Sequence, residues 1–320
     1  MIDGTVSTYF LLLAWCLIGG RCDPMQLKQK RAVFSGTARN CAWFLPNVLQ
    51  NVERLAKLYE NTAFVVAEND SGDETKSILR SWLNGKANGK LIELDGLAAQ
   101  EPKRAQRIAV ARNGCLDYIA DAYPDYDHVV MIDLDDGNAF PISSESFFSA
   151  ANFLEQNSAT AGVFANQAMA YYDIWALRHV LWCPDDCWKR VAMKPRWMRL
   201  QLAQIWYLHK LQFSIPEYAQ PIRVLSAFGG LGIYKARSIR NCRYEGIDNE
   251  GNEICEHVSF NRKICERGGE LYIYPSLVNQ GSNGVLFDPR RFGRRDILVM
   301  QLIRVWQTLF PPWRRIAASG

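Results

Sequence analysis

A chain of 320 residues with 48% hydrophobic and 22% charged residues is typical of a folded globular protein and excludes a disordered one. Its net charge of +4 is too small to indicate nucleic-acid binding by itself. Nine cysteines, without a repeated Cys-x-x-Cys spacing, favour reduced thiols in a cytosolic compartment.

The first 30 residues form an N-terminal apolar segment. Residues 9–20 are almost entirely apolar, and four basic residues follow them by position 31. The run is shorter than the about 20 apolar residues that span a bilayer, and no basic residue precedes it as in a secretory signal. Two interpretations stay open: a membrane insertion that keeps the main domain cytoplasmic, or an extra surface helix.

Strand-like and helix-like segments alternate from residue 31 onwards. RAVFSGTA, FVVA, KLIEL and HVVMI predict strands, and KSILRSWL and RAQRIAVARNGCLDYIADAY predict helices between them. A further helix is predicted by the apolar stripe Leu45, Val48, Val52, Leu55 and Leu58. This alternation predicts an α/β domain with a mainly parallel central sheet and helices on both faces.

Polar clusters follow three of the predicted strands, in TARN, ENDSGDET and DLDD. Ligands bind at the carboxyl ends of the strands in such sheets, so we expect a site there. No GxxxxGK[ST] loop is present and no GxGxxG follows the first strand, which argues against a P-loop hydrolase and a dinucleotide dehydrogenase.

The stretch VVMIDLDDG places Asp133, Asp135 and Asp136 directly after a buried apolar run. Carboxylate oxygens suit Mg²⁺ or Mn²⁺, and a turn beginning at Leu134 would direct Asp133 and Asp135 at one ion. Such an ion can stabilise a departing nucleoside diphosphate, which favours transfer of a nucleotide-activated group, most commonly a sugar. The structural alternative is that the carboxylates cap the next helix.

Two later segments combine basic and aromatic residues. The insert at 180–220 contains four tryptophans among lysines and arginines, and the tail at 286–320 predicts a basic amphipathic helix. Both patterns favour peripheral contact with a membrane, which for a cytoplasmic enzyme is the inner face. The alternatives are a lid over the cleft for the insert and an ordinary helix packed on the core for the tail.

The motifs together resemble a known enzyme family. AENDSGDETKSILRSWL, RIAVARNGCLDYI and the DLDD strand are similar to the nucleotide-binding half of GT-A glycosyltransferases. YYDIWALRH, RVLSAFGGLGIYKA and CRYEGIDNEGNEICEHVSFNRKI resemble segments of the fungal capsule-associated α-1,3-mannosyltransferase family. The chain departs from that family in having Asp-x-Asp where the fungal proteins often have Asn-Asp, and in its Trp-rich insert.

The resemblance implies a single GT-A-like, Rossmann-type domain over residues 31–285, with a nucleotide-binding half (31–140) and an acceptor and catalytic half (141–285). It implies a Mn²⁺- or Mg²⁺-dependent hexosyltransferase with a nucleotide-sugar donor and a glycan or lipid-linked acceptor in capsule or other surface polysaccharide synthesis. A GDP-sugar is the favoured donor, and mannose is one candidate for the transferred sugar. Retention of anomeric configuration is favoured, and nucleic acid is not an expected partner.

The same resemblance implies roles for individual residues. They are catalysis by Glu256 and Asp173; donor or nucleotide binding by Arg39, Glu68, Asn69, Arg112, Asn113, Gly229 and Gly230; acceptor binding by Tyr172, Trp175 and Arg178; and metal binding by Asp133, Asp135 and His257. The structural alternatives are a surface salt bridge for Arg112, an aromatic core for 172–175, a tight turn for the glycines and a hydrogen-bonding role for His257.

Two other classes of function remain open from the sequence. A metal-dependent phosphohydrolase or nucleotidyltransferase would also use the DLDD carboxylates, although it would normally require more ligands around a second ion. A non-catalytic nucleotide-sugar-binding module would need no catalytic carboxylate at Glu256.

Overall fold

The computed structural model describes residues 27–281 and 287–318, and these residues contain one eight-stranded sheet. The predicted apolar run at 9–20 lies outside the described residues, so its placement stays a prediction. In chain order the strands are β1 (Arg31–Ala38), β2 (Asn61–Glu68), β3 (Gly89–Glu93), β4 (His128–Ile132), β5 (Thr160–Gln167), β6 (Ile222–Val224), β7 (Leu231–Lys235) and β8 (Glu270–Asn279).

Helices connect the strands and form the tail. In chain order they are α1 (Leu45–Ala56), α2 (Thr75–Leu83), α3 (Leu97–Gln100), α4 (Arg104–Ala122), α5 (Ser144–Gln156), α6 (Cys187–Ala192), α7 (Leu200–Tyr207), α8 (Glu256–Glu266), α9 (Arg294–Leu309) and α10 (Pro312–Ala317). None of the described helices is long and apolar enough to cross a membrane. The seven described cysteines are unpaired thiols.

The sheet has the order β3-β2-β1-β4-β7-β5-β8-β6. Its first four strands are parallel, and the 3-2-1-4 order is that of a Rossmann-type half, with the switch point between β1 and β4. In the second half only β5 and β8 are parallel, because β7 runs antiparallel to both β4 and β5 and β6 runs antiparallel to β8. The predicted α/β sheet is confirmed, with this reversal as a feature that the alternation did not predict.

Two apolar layers cover the faces of the sheet, as predicted. Successive β1 residues point to opposite faces, so Val33 belongs to one layer and Phe34 to the other. Helices α1, α2 and α5 cover the Phe34 face, and α4 and α8 cover the Val33 face. The predicted stripe on α1 is buried in this way, except that Leu58 follows the helix and is only partly buried.

The antiparallel course of β7 determines what faces the end of β4. Leu231, the first residue of β7, pairs with Ile132, the last residue of β4. The chain just before β7 therefore meets the chain just after β4, and the peptide N–H of Asp133 donates to the carbonyl of Gly230 at 2.9 Å. This contact brings the second half of the chain to the DLDD turn.

Candidate active site

A cleft of about 460 Å³ opens at the carboxyl edge of β1 and β4, at the switch point of the sheet. Helix α4 and the start of α8 form its sides. The structure brings together in its lining the predicted residues Arg39, Asn69, Arg112, Asp133, Asp135, Tyr172, Asp173, Trp175, Gly230, Glu256 and His257. These residues come from both halves of the chain.

Buried amides hold the DLDD turn in place. Asn138 donates from its side chain to the carbonyls of Asp133 and Gly230, at 2.9 Å each. Asn279, at the end of β8, donates to the side chain of Asn138 at 3.0 Å and to the carbonyl of Gly229 at 2.6 Å. Since both amides are almost fully buried, these hydrogen bonds replace the ones to water that burial removes. They connect the ends of β4 and β8 with the chain before β7.

The two glycines before β7 fit both of their predicted alternatives. Gly229 has φ +66° and Gly230 has φ +83°, a backbone conformation that side-chain-bearing residues rarely adopt. A Cβ on Gly229 would lie 2.5 Å from the carbonyl oxygen of Ala165, so this glycine serves a tight turn. Gly230 follows it and lines the cleft.

Arg112 is the electrostatic centre of the cleft. It is 4% exposed, with one guanidinium nitrogen 2.8 Å from Oδ1 of Asp133 and Nε 3.3 Å from Oε1 of Glu256. Its guanidinium also lies over the rings of Phe228 and Tyr244, with centroids at 5.0 and 5.6 Å. The predicted alternative of a surface salt bridge is not seen, because Arg112 is buried and its ion pairs join the two halves of the chain.

The cleft concentrates negative charge. Asp135 and Asp136 follow Asp133 in the chain, and Asp173 and Glu256 come from the second half. The pKa of Asp135 rises to about 6, first because the cleft walls displace water from the carboxylate and second because Asp133 lies beside it, although the side chain stays accessible. The pKa of Asp133 is also raised by burial, and Arg112 opposes that shift.

Asp173 lines the same cleft as the DLDD turn. Its Oδ2 accepts a hydrogen bond from the peptide N–H of Gly229 at 2.9 Å. Burial raises its pKa to about 6, against the effect of its hydrogen bonds, and the charge on Glu256 raises it further. Tyr172 and Trp175 flank it in the lining. A carboxylate that titrates close to neutral pH can accept a proton during a reaction.

Glu256 is the first residue of helix α8 and is 5% exposed. The adjacent His257 lies 3.6 Å from it, and the imidazole stacks on Phe228 with ring centroids 3.8 Å apart. Burial and the charge of Arg112 lower the pKa of His257 well below its usual range, so the ring is neutral. Neither ring nitrogen of His257 has a hydrogen-bond partner within the described residues, so the predicted hydrogen-bonding alternative is not seen.

The three predicted metal ligands, Asp133, Asp135 and His257, do not form a metal-binding cluster in the described residues. Within residues 27–281 and 287–318, no three His, Cys, Asp or Glu side chains are arranged to hold a metal ion. Asp133 and Asp135 nevertheless both line the cleft, and their mutual repulsion contributes to the raised pKa of Asp135. Two hard carboxylates fit Mg²⁺ or Mn²⁺, which usually bind to one or two carboxylates, waters and substrate phosphates. Asp135 also caps the short turn that follows, by accepting from the N–H of Gly137.

Four predicted site residues do not line the cleft. Glu68 is fully buried at the end of β2, where it accepts from the N–H of Ser71 and lies 3.3 Å from Lys76. Asn113 exchanges two 2.9 Å hydrogen bonds with the backbone of Tyr244. Arg178 binds Asp186 and two backbone carbonyls, and Gly229 supports the turn. These residues support the walls of the cleft.

Several residues of the lining were not predicted, above all Arg104 and Arg107. Both lie in the first turn of α4, and Arg104, Ile108 and Arg112 follow one another at four-residue intervals. That spacing places them on the same helix face, so the helical period could have identified them from the sequence. Thr37, Cys41 and Asp136 also line the cleft.

Among known proteins, only solved structures resemble this chain. No protein family matches the chain, and neither does any curated protein, so the resemblance to the fungal family stays a prediction. Among solved structures, the mannosyltransferase PcManGT from Pyrobaculum calidifontis, in complex with GDP-Man and Mn²⁺, aligns with TM-score 0.48 and 16% identity over 98% of this chain and 80% of its own.

Staphylococcus aureus TarS 1-349 aligns with TM-score 0.45 and 14% identity, over 87% of this chain and 65% of its own. The same fragment in complex with UDP-GlcNAc has TM-score 0.45 and 13% identity. This chain thus spans about two thirds of the TarS fragment. Likenesses of this size carry no inference about activity.

Proposed function

We propose that the protein is a metal-dependent glycosyltransferase of the GT-A type, which moves a sugar from a nucleotide-sugar donor to a hydroxyl of an acceptor. The observation that supports this proposal most directly is the cleft at the switch point, where Asp133, Asp135, Asp173 and Glu256 meet around the buried Arg112. Carboxylates suited to a cation and carboxylates suited to proton transfer thus line a single cleft.

The donor fits the side of the cleft that is built by β1, β2 and α4. Arg39 follows β1 and Asn69 follows β2, so both can contact the base and ribose of a nucleotide at the carboxyl edge. Arg104 and Arg107 line the same side and are suited to the diphosphate. Arg112 is engaged with two carboxylates, so we assign it to the support of Asp133 and Glu256.

Asp133 and Asp135 would hold the Mg²⁺ or Mn²⁺ ion together with oxygens of the donor diphosphate. When bound, such a cation stabilises the negative charge that develops on the leaving nucleoside diphosphate. The chain's own contribution is to position the two carboxylates. Asn138 and Gly230 hold the backbone of Asp133, Arg112 donates to its Oδ1, and the N–H of Gly137 donates to Oδ1 of Asp135.

The acceptor fits the wall that contains Tyr172, Asp173 and Trp175. In the reaction, the acceptor hydroxyl oxygen forms a bond to the anomeric carbon while the bond from that carbon to the diphosphate oxygen breaks. The bonding electron pair leaves with the nucleoside diphosphate, and the hydroxyl proton passes to a carboxylate. Asp173 is suited to receive it because its pKa is about 6, and Glu256 is suited to stabilise positive charge on the sugar.

The resemblance of the motifs supports further assignments. We propose GDP-mannose as the first donor to be tested, and as acceptor a glycan or lipid-linked glycan of a surface polysaccharide such as a capsule. Retention of anomeric configuration is the favoured outcome.

A thermal-shift screen of nucleoside diphosphates and nucleotide sugars, with and without Mn²⁺, tests the proposal. A ligand that binds only the folded state raises the melting temperature by mass action. We expect a metal-dependent rise for one base, with GDP tested first. The absence of any rise with Mn²⁺ present would contradict the donor site and favour a phosphohydrolase or a module that binds another ligand.

A further inference from the structure

Helix α9 (Arg294–Leu309) buries two polar side chains and leaves a stripe of large apolar side chains exposed. Its buried residues are Asp296, which is 2% exposed, Met300, and Gln307, which is 8% exposed. Six large apolar side chains of the helix and the residue after it are instead between 52% and 68% exposed: Leu298, Leu302, Val305, Trp306, Leu309 and Phe310. A surface helix of a soluble protein normally directs its apolar stripe at the core.

The inward-facing polar side chains of α9 make specific contacts with other parts of the chain. Asp296 lies 2.8 Å from the guanidinium of Arg199, which precedes α7. Gln307 donates to the carbonyl of Lys210 at 2.7 Å, and Arg304 donates to the carbonyl of Gln212. These bonds fix the rotation of the helix about its axis. The outward orientation of the apolar stripe is therefore built into the fold.

The exposed apolar residues of α9 form one stripe. Leu298, Leu302, Val305 and Leu309 are separated by three or four residues, so they lie on one helix face. Trp197 is 76% exposed and Leu200 50% exposed, and both are close in the chain to Arg199, which contacts α9. We call these residues and the α9 stripe the apolar face. A face of this size is typical of an interaction surface.

Positive charge surrounds the apolar face. Residues 286–320 contain seven arginines and only two aspartates, although the whole chain has a net charge of only +4. Arg294, Arg295, Arg314 and Arg315 are exposed at the two ends of the tail. Leucine and tryptophan side chains flanked by arginines match a bilayer surface, where acyl chains lie below anionic headgroups.

We propose that the apolar face docks on the surface of an anionic phospholipid bilayer. Charge complementarity distinguishes this partner from the alternatives. In a two-fold dimer the same surface would meet itself, so the arginines of one copy would face those of the other. The chain's own apolar residues 9–20 contain no acidic side chain to pair with these arginines.

The docking surface is connected to the cleft. Gln212, whose carbonyl accepts from Arg304 of α9, donates from its side chain to the carbonyl of Tyr172 at 3.2 Å. Tyr172 lines the wall that we assign to the acceptor. If the proposed function holds, the bilayer lies on the acceptor side of the enzyme, which fits a lipid-linked acceptor.

Co-sedimentation of the full chain with vesicles of phosphatidylcholine, alone or mixed with phosphatidylglycerol, tests the proposal. We expect binding to the mixed vesicles, weak binding to phosphatidylcholine alone, and loss of binding as salt screens the charges. The double substitution Leu302→Glu and Leu309→Glu should reduce vesicle affinity by about tenfold or more, because two exposed apolar side chains that would enter the bilayer become charged. Trp43→Glu, at an 87% exposed position before α1, is the matched control and should bind normally.

A second variant keeps the apolar stripe and removes charge. Arg294→Ala with Arg295→Ala should weaken binding to the mixed vesicles by about fivefold for each arginine and should not change binding to phosphatidylcholine. Circular dichroism and the melting temperature verify the fold of each variant. A nucleotide-induced thermal shift that is unchanged in these variants would show that they still bind nucleotide. Loss of vesicle binding would then concern the docking surface alone and not the proposed function.

Three outcomes would overturn the proposal. One is equal vesicle binding by wild type and the double glutamate variant. Another is a dimer of the wild-type chain that the glutamates dissociate in the absence of lipid, which would assign the face to a second copy. The third is vesicle binding that is absent in the full chain and appears only when residues 1–26 are deleted, which would assign the face to the N-terminal apolar segment.

Discussion

In the first half of the sheet, β1, β2 and β4 are parallel, and each ends at the cleft with polar residues that follow it directly in the chain. In the second half, Asp173 and Glu256 reach the same cleft from a loop and from the start of a helix, and antiparallel β7 brings Gly230 there. The site residues of the first half can therefore be predicted from the neighbouring sequence, whereas those of the second half are placed by contacts between distant segments.

The largest effect is expected in the second half, for Glu256→Gln. Turnover should fall by about 10²- to 10⁴-fold if the carboxylate acts in the transition state, while the nucleotide-induced thermal shift should remain. Assays of turnover and of thermal shift on the same preparation check both parts. Glu266→Gln, at the exposed end of the same helix, is the control and should leave turnover unchanged. Unchanged turnover in Glu256→Gln itself would contradict the catalytic role that we assign to Glu256.

Arg112→Met tests the junction between the two halves. The substitution leaves Asp133 and Glu256 without their buried partner, so the free energy of unfolding should decrease by about 3–5 kcal/mol. Urea denaturation measures this change. Arg243→Met is the matched control, because Arg243 pairs with Asp117 at 2.5 Å on the surface and such pairs contribute only about 0–1 kcal/mol. Equal effects of the two substitutions would contradict the structural role of Arg112.

Asp135→Asn tests the first half alone. The loss of one carboxylate ligand should weaken Mn²⁺-dependent nucleotide binding by about hundredfold, since a bound cation contributes several kcal/mol. Titration calorimetry with and without Mn²⁺ measures the change, and Asp121→Asn, at an exposed position on α4, is the control. Retained affinity would mean that the metal site lies elsewhere.

Asp173→Asn should affect stability and activity in opposite directions. The pKa of Asp173 in the folded protein is about 6, above the ordinary 3.8, so the folded state binds this proton more tightly. The ionised form of Asp173 therefore lowers the free energy of unfolding. This loss is absent below pH 3.8, where the carboxyl is protonated in both states, and complete above pH 6. At pH 7 the asparagine should therefore raise the free energy of unfolding by on the order of 1–3 kcal/mol.

Turnover by the Asp173→Asn variant should be low at every pH. Wild-type turnover should instead increase as the pH rises through about 6, where Asp173 becomes a carboxylate able to accept a proton. Denaturation at pH 4 and pH 7, together with pH profiles of turnover, measures both effects. If the Asp173→Asn variant kept the wild-type pH profile of turnover, Asp173 would have no role in the reaction.

Asn279→Ala is expected to have the smallest effect, and it addresses the long-range contacts directly. The change removes the hydrogen bonds to Asn138 and Gly229, which should lower the free energy of unfolding by about 1–3 kcal/mol. Asn88→Ala, at an exposed position, should change it by less than about 0.5 kcal/mol. Thermal and urea denaturation compare the two variants, and similar losses would show that the amide network does not secure the second half.

Much of the first half was predictable because its signals are local. The apolar runs predicted β1, β2 and β4, and the carboxylates after HVVMI lie in the cleft because parallel strands end at one edge. Arg104 was missed although its eight-residue, two-turn spacing from Arg112 was available in the sequence, and Arg107 was missed as well. Glu68 was placed at the correct strand end, but its side chain turns inward to Ser71 and Lys76.

The sequence by itself determined the α/β class, the strand ends that form the cleft and the acidic residues at the end of β4, because periodicity and turn residues act over short distances along the chain. Only the tertiary structure decided the antiparallel direction of β7, the pairing of Arg112 with Asp133 and Glu256, and the outward orientation of the apolar stripe on α9. Each of these depends on which distant segment supplies the hydrogen bond or the opposite charge, and no local pattern specifies that partner.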